Sequence, residues 1–360
     1  MAMTSPKRIR AIDLFCGAGG LTTGLKEAGI DIVAAIENDK AAVNTYKANH
    51  PEIEVFDRDI RTISGNDIIV KVGKIDMIVG CPPCQGFSSL TFKNKGEDER
   101  NLLVLEFLRL VREISPEIVM MENVPGLSGR GSPLFEQLMS ELGKMKYCLN
   151  FDVLQVADFG IPQRRKRLVL IGAKGFEIKL PSKTHSEKPT GKLKKWKSLK
   201  QAIGGFKPPY YVSTLNGKTY EKVNWNIARE LGPVNKARIK SLKQGESRYS
   251  IPLTLRPSCH KDSSKGFGNV YGRLIWDEPS VTITRGCTTL SMGRFGHPEE
   301  ERALSVREAA TIQTFPRRYK FKANSIEKAC ILIGNAFPCR LAKILGEQIV
   351  ERTLKYYANK

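Results

Sequence analysis

The sequence predicts an α/β fold: a doubly wound, mostly parallel sheet with helices on both faces, followed by a second, smaller and irregular domain. Two observations predict it. In the first half of the 360-residue chain, short apolar runs alternate with segments of helical periodicity. After about residue 180 the chain becomes basic and rich in Gly, Ser, Thr and Arg, with interleaved aromatic residues. We expect residues 1–180 and 300–360 to form the first domain and residues 181–299 the second.

The strands of the first domain are expected at its apolar runs, and the helices at its segments of helical periodicity; each run or segment ends in a turn. The strands are expected at residues 9–15, 32–36, 75–79, 118–121, 151–156 and 168–171. The helices are expected at residues 21–28, from 39 onward, at 101–114, from 305 onward, and near 325–333 and 338–356. Gly29 is a natural helix stop, and Ser305 with Glu308 has the spacing of a capping box.

The composition is that of a globular protein with an acidic partner. Hydrophobic residues make up 41% and charged residues 26%, while 58 Lys and Arg against 37 Asp and Glu leave a net charge of +21. This excess favours nucleic acid as the partner, although a generally lysine-rich proteome would also produce it. No apolar run has the length of a membrane span and no signal-peptide pattern precedes the first strand, so we expect a cytoplasmic protein with no membrane partner.

The cysteines and histidines do not predict a metal site. Eight cysteines are scattered along the chain, and Cys81 with Cys84 forms a Cys-x-x-Cys that lacks a second pair. The four histidines lie far apart in sequence.

A thiol and a carboxylic acid each follow a predicted strand. Cys84 lies in the loop Gly-Cys-Pro-Pro-Cys-Gln-Gly-Phe-Ser at residues 80–88, and Glu122 ends the strand that begins at residue 118. In open α/β sheets ligands bind at this edge. A thiol attacks an electron-poor carbon and an acid protonates the nitrogen that collects the charge, so the pair suits covalent chemistry on a heterocyclic base. An inert buried cysteine is the alternative, although the two prolines indicate a shaped turn.

Three further features favour an adenosine-type cofactor. The turn Asp-Leu-Phe-Cys-Gly-Ala-Gly-Gly at residues 13–20 lets backbone approach a ligand at a helix N-terminus. Glu37, at the end of the second strand, is placed to bind ribose hydroxyls. Asp59 is placed to bind an adenine amino group. A structural turn and two solvated acids remain the alternatives. The Gly-x-Gly-x-x-Gly spacing of dinucleotide-binding folds is missing, which disfavours an oxidoreductase.

The run Gln-Arg-Arg-Lys-Arg at residues 163–167 leads into a strand. Because alternate strand residues share a face, Arg165 and Arg167 are expected to point together into a cleft. There they would hold a phosphate or brace a base. A solvated charge run is the alternative.

Together these motifs resemble the DNA (cytosine-5)-methyltransferase family. The resemblance runs in order through residues 13–20, 82–85, 122–124, 163–167, 307–316 and 334–336. It implies a Rossmann-like, class I S-adenosylmethionine-dependent methyltransferase fold with a target-recognition domain between the fourth and fifth of these motifs. One departure is Phe-Pro-Cys at residues 337–339, where the family usually has a valine and two prolines.

The resemblance also implies the cofactor and its residues. S-adenosylmethionine would be the methyl donor. Phe15 would stack on its adenine, and Glu37 would bind its ribose. The implied cofactor-binding residues are Phe15, Gly17, Gly19, Glu37, Asp59, Ile60, Pro83, Leu103 and Asn335.

The mechanism implied by the resemblance begins with a cytosine flipped out of the duplex. Cys84 would add to ring carbon 6, while Glu122 contacts ring nitrogen 3 and the exocyclic amine. Arg165 is expected to stabilise the base, and Asn123 to fix the loop. The residues expected to contact DNA are Gln85, Ser88, Arg167, Arg256, Arg273 and Arg285.

These features predict a monomeric enzyme of a prokaryotic restriction-modification system acting on double-stranded DNA. Whether a cognate restriction endonuclease acts on the same site is left open. The rivals are a transfer-RNA cytosine-5 methyltransferase, whose Cys-Phe-Thr signature is absent, and a catalytically silent DNA-binding relative. A zinc deaminase is disfavoured because no Pro-Cys-x-x-Cys motif is present.

Overall fold

The computed structural model divides the chain into two compact units. It describes residues 8–83, 102–129, 132–215, 220–261 and 267–360. Unit 1 comprises Met1–Gln155, Lys166–Lys183 and Phe337–Lys360, and unit 2 comprises Val156–Arg165 and Thr184–Ala336.

Unit 1 contains a seven-stranded sheet. Its strands are β1 (Arg10–Leu14), β2 (Asp31–Glu37), β3 (Glu54–Asp57), β4 (Met77–Gly80), β5 (Ile118–Asn123), β6 (Tyr147–Gln155) and β7 (Lys166–Lys174). Their spatial order is β3-β2-β1-β4-β5-β7-β6. Neighbouring strands from β3 to β5 pair in parallel, while β7 is antiparallel to both β5 and β6. The predicted doubly wound, mostly parallel sheet is confirmed.

The strands form where the sequence is continuously apolar. Every residue of β4 and β5 is buried, which is the pattern of parallel strands covered on both faces. Strand β6 begins at Tyr147, four residues before the expected start at residue 151. It lies at the edge of the sheet, where only Tyr147 and Leu154 of its nine residues are buried, so its first half carries no apolar run.

Ten α-helices are found among the described residues. They are α1 (Gly20–Glu27), α2 (Lys40–Asn49), α3 (Gly65–Val72), α4 (Leu103–Ile114), α5 (Ser132–Lys144), α6 (Leu199–Ile203), α7 (Pro233–Lys240), α8 (Val306–Ile312), α9 (Ile326–Asn335) and α10 (Cys339–Ala358). In unit 1, α3, α4 and α5 share one apolar core with the sheet. Helices α1 and α10 pack so closely that a side-chain carbon at Gly24 would lie 2.1 Å from the carbonyl oxygen of Cys339.

Unit 2 is irregular. Its described strands are two residues long: β8 (His185–Ser186), β9 (Lys194–Lys195), β10 (Tyr210–Tyr211) and β11 (Ile227–Ala228). The capping box expected at Ser305 and Glu308 is formed at the start of α8. Because α8 packs against α6, β11 and α9, residues 300–336 belong to unit 2 and not to the unit that holds the sheet. The units therefore divide the chain differently from the expected domains, and the role of each remains a proposal.

The segment 326–358 is long and apolar enough to cross a membrane by composition. Most of it is buried inside the protein, and Pro338 separates its two helices, α9 and α10. Burial of this extent is typical of core helices.

Candidate active site

The ends of β1, β4 and β5 meet at one edge of the sheet in unit 1. Leu14 pairs with Gly80, and Gly80 pairs with Met121, so the residues after these three strands lie side by side. The backbone N–H of Cys81 donates to the carbonyl of Leu14 at 3.2 Å, which continues this register beyond β4. This is the edge at which open α/β sheets bind ligands.

Asn123 fastens the proline loop to the end of β5. Its side-chain Nδ2 donates to the carbonyl oxygen of Pro82 at 3.0 Å, and its Oδ1 accepts from the backbone N–H of Val124 at 2.8 Å. The side chain is 3% exposed, so both bonds are shielded from water. Asn123 thus holds the segment that leads towards residue 84, as its predicted role requires.

Glu122 is held by Arg167. The Nε of Arg167 lies 2.6 Å from Oε1 of Glu122, and the two side chains are only 14% and 11% exposed. Glu122 on β5 pairs with Val169 on β7, which places Arg167 two residues along β7 on the same face. Burial lowers the pKa of the Arg167 guanidinium, while the charge of Glu122 opposes that shift. The pair fixes the orientation of the Glu122 carboxylate at the end of β5.

The thiol of Cys81 lies beside this pair. Burial raises the pKa of Cys81 well above its usual value, and the carboxylates of Glu122 and Asp13 raise it further. A thiol becomes a nucleophile only as thiolate, which an apolar and acidic environment disfavours. Cys81 is therefore suited to donate a hydrogen bond and not to attack a base.

Arg165 is held elsewhere, within unit 2. Its Nη1 donates to the carbonyl of Ile283 at 2.8 Å, and its Nη2 to those of Gly334 and Ala336 at 3.1 and 3.4 Å. The side chain is 2% exposed. Arg167 therefore contacts Glu122, whereas Arg165 donates to carbonyl groups of unit 2. The base-stabilising role expected of Arg165 and the DNA contact expected of Arg167 stay predictions.

The strand boundary explains why the two arginines have different contacts. Strand β7 begins at Lys166, so Arg165 precedes the strand and the alternation of strand faces does not apply to it. Gln163 has a packing role similar to that of Arg165: its Nε2 donates to Gln313 at 2.8 Å and its Oε1 accepts from the backbone of Ile283 at 2.9 Å.

The glycine turn after β1 is closed by Glu37. Phe15, Gly17 and Gly19 all have positive φ values, 59°, 53° and 83°, which bend the backbone sharply before α1. Oε2 of Glu37 accepts from the N–H of Gly17 at 3.0 Å, and Oε1 accepts from the N–H groups of residues 38 and 39 at 2.9 Å. Burial raises the pKa of Glu37, and these backbone donors oppose the shift. Glu37 is thus a positioned carboxylate at the end of β2 and not a solvated acid.

Asp13 lies beneath the turn, and its own role was not assigned from sequence. It is fully buried, and its Oδ2 accepts from the Thr22 hydroxyl at 2.6 Å, which in turn lies 2.8 Å from the hydroxyl of Tyr46. Its other oxygen, Oδ1, has no hydrogen-bond partner in the part of the chain that the structure describes. Burial raises the pKa of Asp13 to about 7. The signal in the sequence is an acid near the end of a buried strand that leads into a glycine-rich turn.

Asp59, Ile60 and Leu103 lie beyond β3 and at the start of α4. Asp59 caps a short 3₁₀ helix, and its carboxylate accepts from the backbone N–H and the guanidinium of Arg61. Hydrogen bonds from Arg61 lower the pKa of Asp59, so it is ionised and already paired. Ile60 is buried in the same core against which Leu103 packs. The pairing with Arg61 makes Asp59 a weaker candidate for an adenine contact than its sequence position indicates.

Comparison with known proteins identifies the family. Residues 9–351 match the C-5 cytosine-specific DNA methylase family. The Type II methylase M.HgiDII of Herpetosiphon aurantiacus is 36% identical over 346 residues, covering 94% of each chain. The Type II methyltransferase M1.HphI of Haemophilus parahaemolyticus is 33% identical over 346 residues, covering 94% of this chain and 86% of that one. The chain belongs to the C-5 cytosine-specific DNA methylases.

Solved structures show the same fold. A DNA modification methyltransferase encoded within an E. coli prophage superposes with a TM-score of 0.71 at 23% identity, covering 96% of the methylase and 99% of that chain. The S. pombe Dnmt2 methyltransferase superposes with a TM-score of 0.65 at 20% identity, covering 97% and 99%. The predicted class I methyltransferase fold is therefore confirmed, and the family implies S-adenosylmethionine as methyl donor.

Some predicted residues of the methylase cannot be placed. Cys84, Gln85 and Ser88 lie outside the described residues, and half-buried Pro83 is the last residue described before them. Asn335 is exposed at the end of α9 in unit 2. Their roles stay predictions. No cluster of three His, Cys, Asp or Glu residues that could hold a metal ion occurs among the residues described.

Two of the three arginines expected to read bases serve the fold of unit 2. Arg273 is 4% exposed and donates to the carbonyls of residues 239, 242, 297 and 300. Arg256 donates to the carbonyls of residues 249 and 251. Only Arg285 of the three is an exposed residue, so it is the one that stays a base-reading candidate. Guanidinium groups that bridge several carbonyls substitute for regular secondary structure in an irregular fold, and no sequence pattern distinguishes them from DNA-reading arginines.

Proposed function

We propose that this methylase is the modification enzyme of a Type II restriction-modification system, working as a monomer in a bacterial cytoplasm. Its substrate would be a cytosine in double-stranded DNA, methylated at ring carbon 5 after being flipped out of the helix. The curated relatives described above are Type II enzymes, which supports the assignment. The single observation that carries the chemistry is the buried Glu122–Arg167 pair beside the loop that leads to residue 84.

The residues around the glycine turn fit S-adenosylmethionine. Asp13 offers a buried carboxylate oxygen that has no hydrogen-bond partner among the described residues, which suits the ammonium group of an amino acid. The left-handed backbone at Gly17 and Gly19 leaves room for a ligand close to the main chain, and Glu37 retains lone pairs for ribose hydroxyls. When bound, S-adenosylmethionine supplies the electrophilic methyl group that carbon 5 takes.

The reaction on the base would start with Cys84. Its thiolate forms a bond to carbon 6, and the electrons of the carbon 5–carbon 6 double bond move towards carbon 5 and ring nitrogen 3. Glu122 supplies a hydrogen bond or proton at ring nitrogen 3, which neutralises the negative charge that develops there. After methylation, carbon 5 loses its proton to a water molecule and the electrons of that bond reform the carbon 5–carbon 6 double bond. Cys84 leaves carbon 6 as the thiolate, and any proton placed on ring nitrogen 3 returns to Glu122.

The roles of the other residues follow from their contacts. Arg167 holds Glu122 in place. Because it lies beside Glu122, we propose that Arg167 also contacts the flipped base, the role first expected of Arg165. Asn123 holds the proline loop, and with it the approach to Cys84. The thiol of Cys81 stays protonated and takes no part in bond formation.

Transfer of labelled methyl groups tests the proposal. We expect incorporation into duplex DNA, no incorporation into transfer RNA, and none into DNA by the Cys84→Ser variant. Bisulfite sequencing of DNA from cells that express the protein would then show one short sequence context in which cytosine is protected. Label in transfer RNA with silent duplex DNA would contradict the proposal, and so would normal turnover by Cys84→Ser.

A further inference from the structure

A basic segment of unit 2 lies outside the machinery described above. We define the basic wing as residues 184–200, which include β8, β9 and the start of α6. It carries six lysines and one acid, Glu187. The lysines are Lys188, Lys192, Lys194, Lys195, Lys197 and Lys200. Five of them, all except Lys197, are exposed.

The wing is fastened to unit 2 at its base. The N–H of Thr184 donates to the carbonyl of Asp158 at 2.9 Å, and the indole N–H of Trp196 donates to its carboxylate at 2.7 Å. At the far end, the N–H groups of Leu199 and Lys200 donate to the carbonyls of residues 278 and 276 at 2.7 and 3.0 Å. Because both ends are tied to the same unit, the lysines between them project from a defined surface.

Arg164 pairs with the one acid of this surface. Its Nη2 lies 2.8 Å from Glu187 and 3.2 Å from Glu278, and its guanidinium stacks over Trp196 at 5.4 Å from the ring centroid. The one acid of the wing is thereby paired. None of the five exposed lysines forms an ion pair with a residue that the structure describes. Such a surface keeps a positive potential that an ordinary mixed-charge surface lacks.

Pairing of β8 with β9 spreads the lysines over the wing. The N–H groups of Lys194 and Trp196 donate to the carbonyls of Thr184 and Ser186 at 3.0 Å each, so the strand ends that carry Lys194 and Lys195 are held in place. The indole of Trp196, which follows β9, is tied to Asp158, so the chain next to Lys195 is also held in place. Flexible lysine side chains on a fixed backbone suit phosphates, which they bind as point charges without reading sequence.

We infer that the basic wing is a phosphate-binding surface for duplex DNA, separate from the residues that read bases or perform chemistry. This inference rests on the proposed action on duplex DNA. The wing would supply affinity that is independent of sequence and sensitive to salt, because each lysine that neutralises a phosphate releases condensed counterions. It would therefore lower KM and the dissociation constant for any duplex while leaving the choice of target cytosine unchanged.

The test is the salt dependence of duplex binding by the double variant Lys194→Gln with Lys195→Gln. We expect the slope of log affinity against log salt to fall by about two and the affinity at low salt to fall by about tenfold or more, equally on duplexes with and without the target site. The turnover number at saturating DNA should be unchanged. The matched control is Lys47→Gln with Lys355→Gln, which removes the same charge from α2 and α10 of unit 1. It should leave the slope nearly unchanged.

The outcomes separate the wing from the proposed function. If the parent protein binds and methylates duplex DNA but both double variants keep its slope, the wing inference fails alone. An equal loss in both double variants would show an effect of net charge and overturn the inference as well. Loss of transfer-RNA binding with unaltered duplex binding would contradict the assigned partner. A parent protein that neither binds nor methylates duplex DNA would refute the proposed function itself.

Discussion

Replacement of Arg167 is expected to disable methylation without unfolding the protein. In the structure its Nε lies 2.6 Å from Glu122, and both side chains are largely shielded from water. Two opposite charges about 4 Å apart attract by about 4 kcal/mol at an effective dielectric constant of 20. The cost of desolvating both groups offsets part of this attraction. We therefore expect Arg167→Ala, which removes the partner of Glu122 in this pair, to cost about 3 kcal/mol of interaction free energy at the site.

Glu122 must stay positioned while charge develops on the base. Losing its interaction with Arg167 is therefore expected to raise the free energy of the transition state. A loss of about 3 kcal/mol corresponds to a decrease in kcat/KM of about 100-fold. Arg167→Lys keeps the charge but not the planar donor group, so it should recover only part of the activity. Initial rates of methyl transfer to duplex DNA, with folding monitored by circular dichroism, would measure both effects.

Arg165→Ala is the matched control, two residues away. Because Arg165 donates to three carbonyls within unit 2, its removal should lower the midpoint of urea unfolding. Below that transition the variant should retain most of its kcat. The opposite pattern, with Arg167→Ala active and a fully folded Arg165→Ala inactive, would refute the roles that we assign to the two arginines.

Three further substitutions test other parts of the structure. Cys81→Ser should keep kcat within about threefold of the parent value, since the high pKa of Cys81 makes it a poor nucleophile; a loss as complete as that of Cys84→Ser would contradict this. Asp13 has a pKa of about 7 in the folded protein against 3.8 for an unburied carboxyl, so the folded state binds more protons between these values and stability falls as pH rises through that window. We expect the unfolding free energy of the parent protein to decrease by about 4 kcal/mol across this window, and that of Asp13→Asn not to do so. Equal pH profiles of the two proteins in urea titrations would disprove this. Arg273→Ala should destabilise unit 2 by about 3 kcal/mol by leaving carbonyls unpaired, whereas a folded variant with altered site specificity would restore Arg273 as a base reader.

The sheet and the strand-end acids could be predicted because burial on both faces imposes a simple pattern. Strand β4 and the first four residues of β5 are apolar, so the points at which these runs end, and therefore the position of Glu122, follow directly from the sequence. Helix α8 was equally predictable, because its capping box involves only residues 305 and 308. Edge strand β6 has no such run, which explains why its first four residues were missed.

The function of individual arginines could not be predicted, because it depends on contacts distant in sequence. Arg165 and Arg167 are alike in sequence context, but one meets carbonyls at residues 283 and 334 and the other meets Glu122. Arg273 is likewise committed to carbonyls that only the folded chain brings together. Asp59 shows the same limit at short range, since its pairing with Arg61 depends on the 3₁₀ turn that it caps.

The most direct test of the chemistry is a covalent complex with a duplex that carries 5-fluorocytosine at the target position. Fluorine at carbon 5 cannot leave as a proton does, so the enzyme should remain bonded to carbon 6 after methyl transfer. Peptide mapping by mass spectrometry should locate the DNA on Cys84. Attachment to Cys81, or no stable complex from a protein that methylates normal cytosine, would contradict the proposed nucleophile.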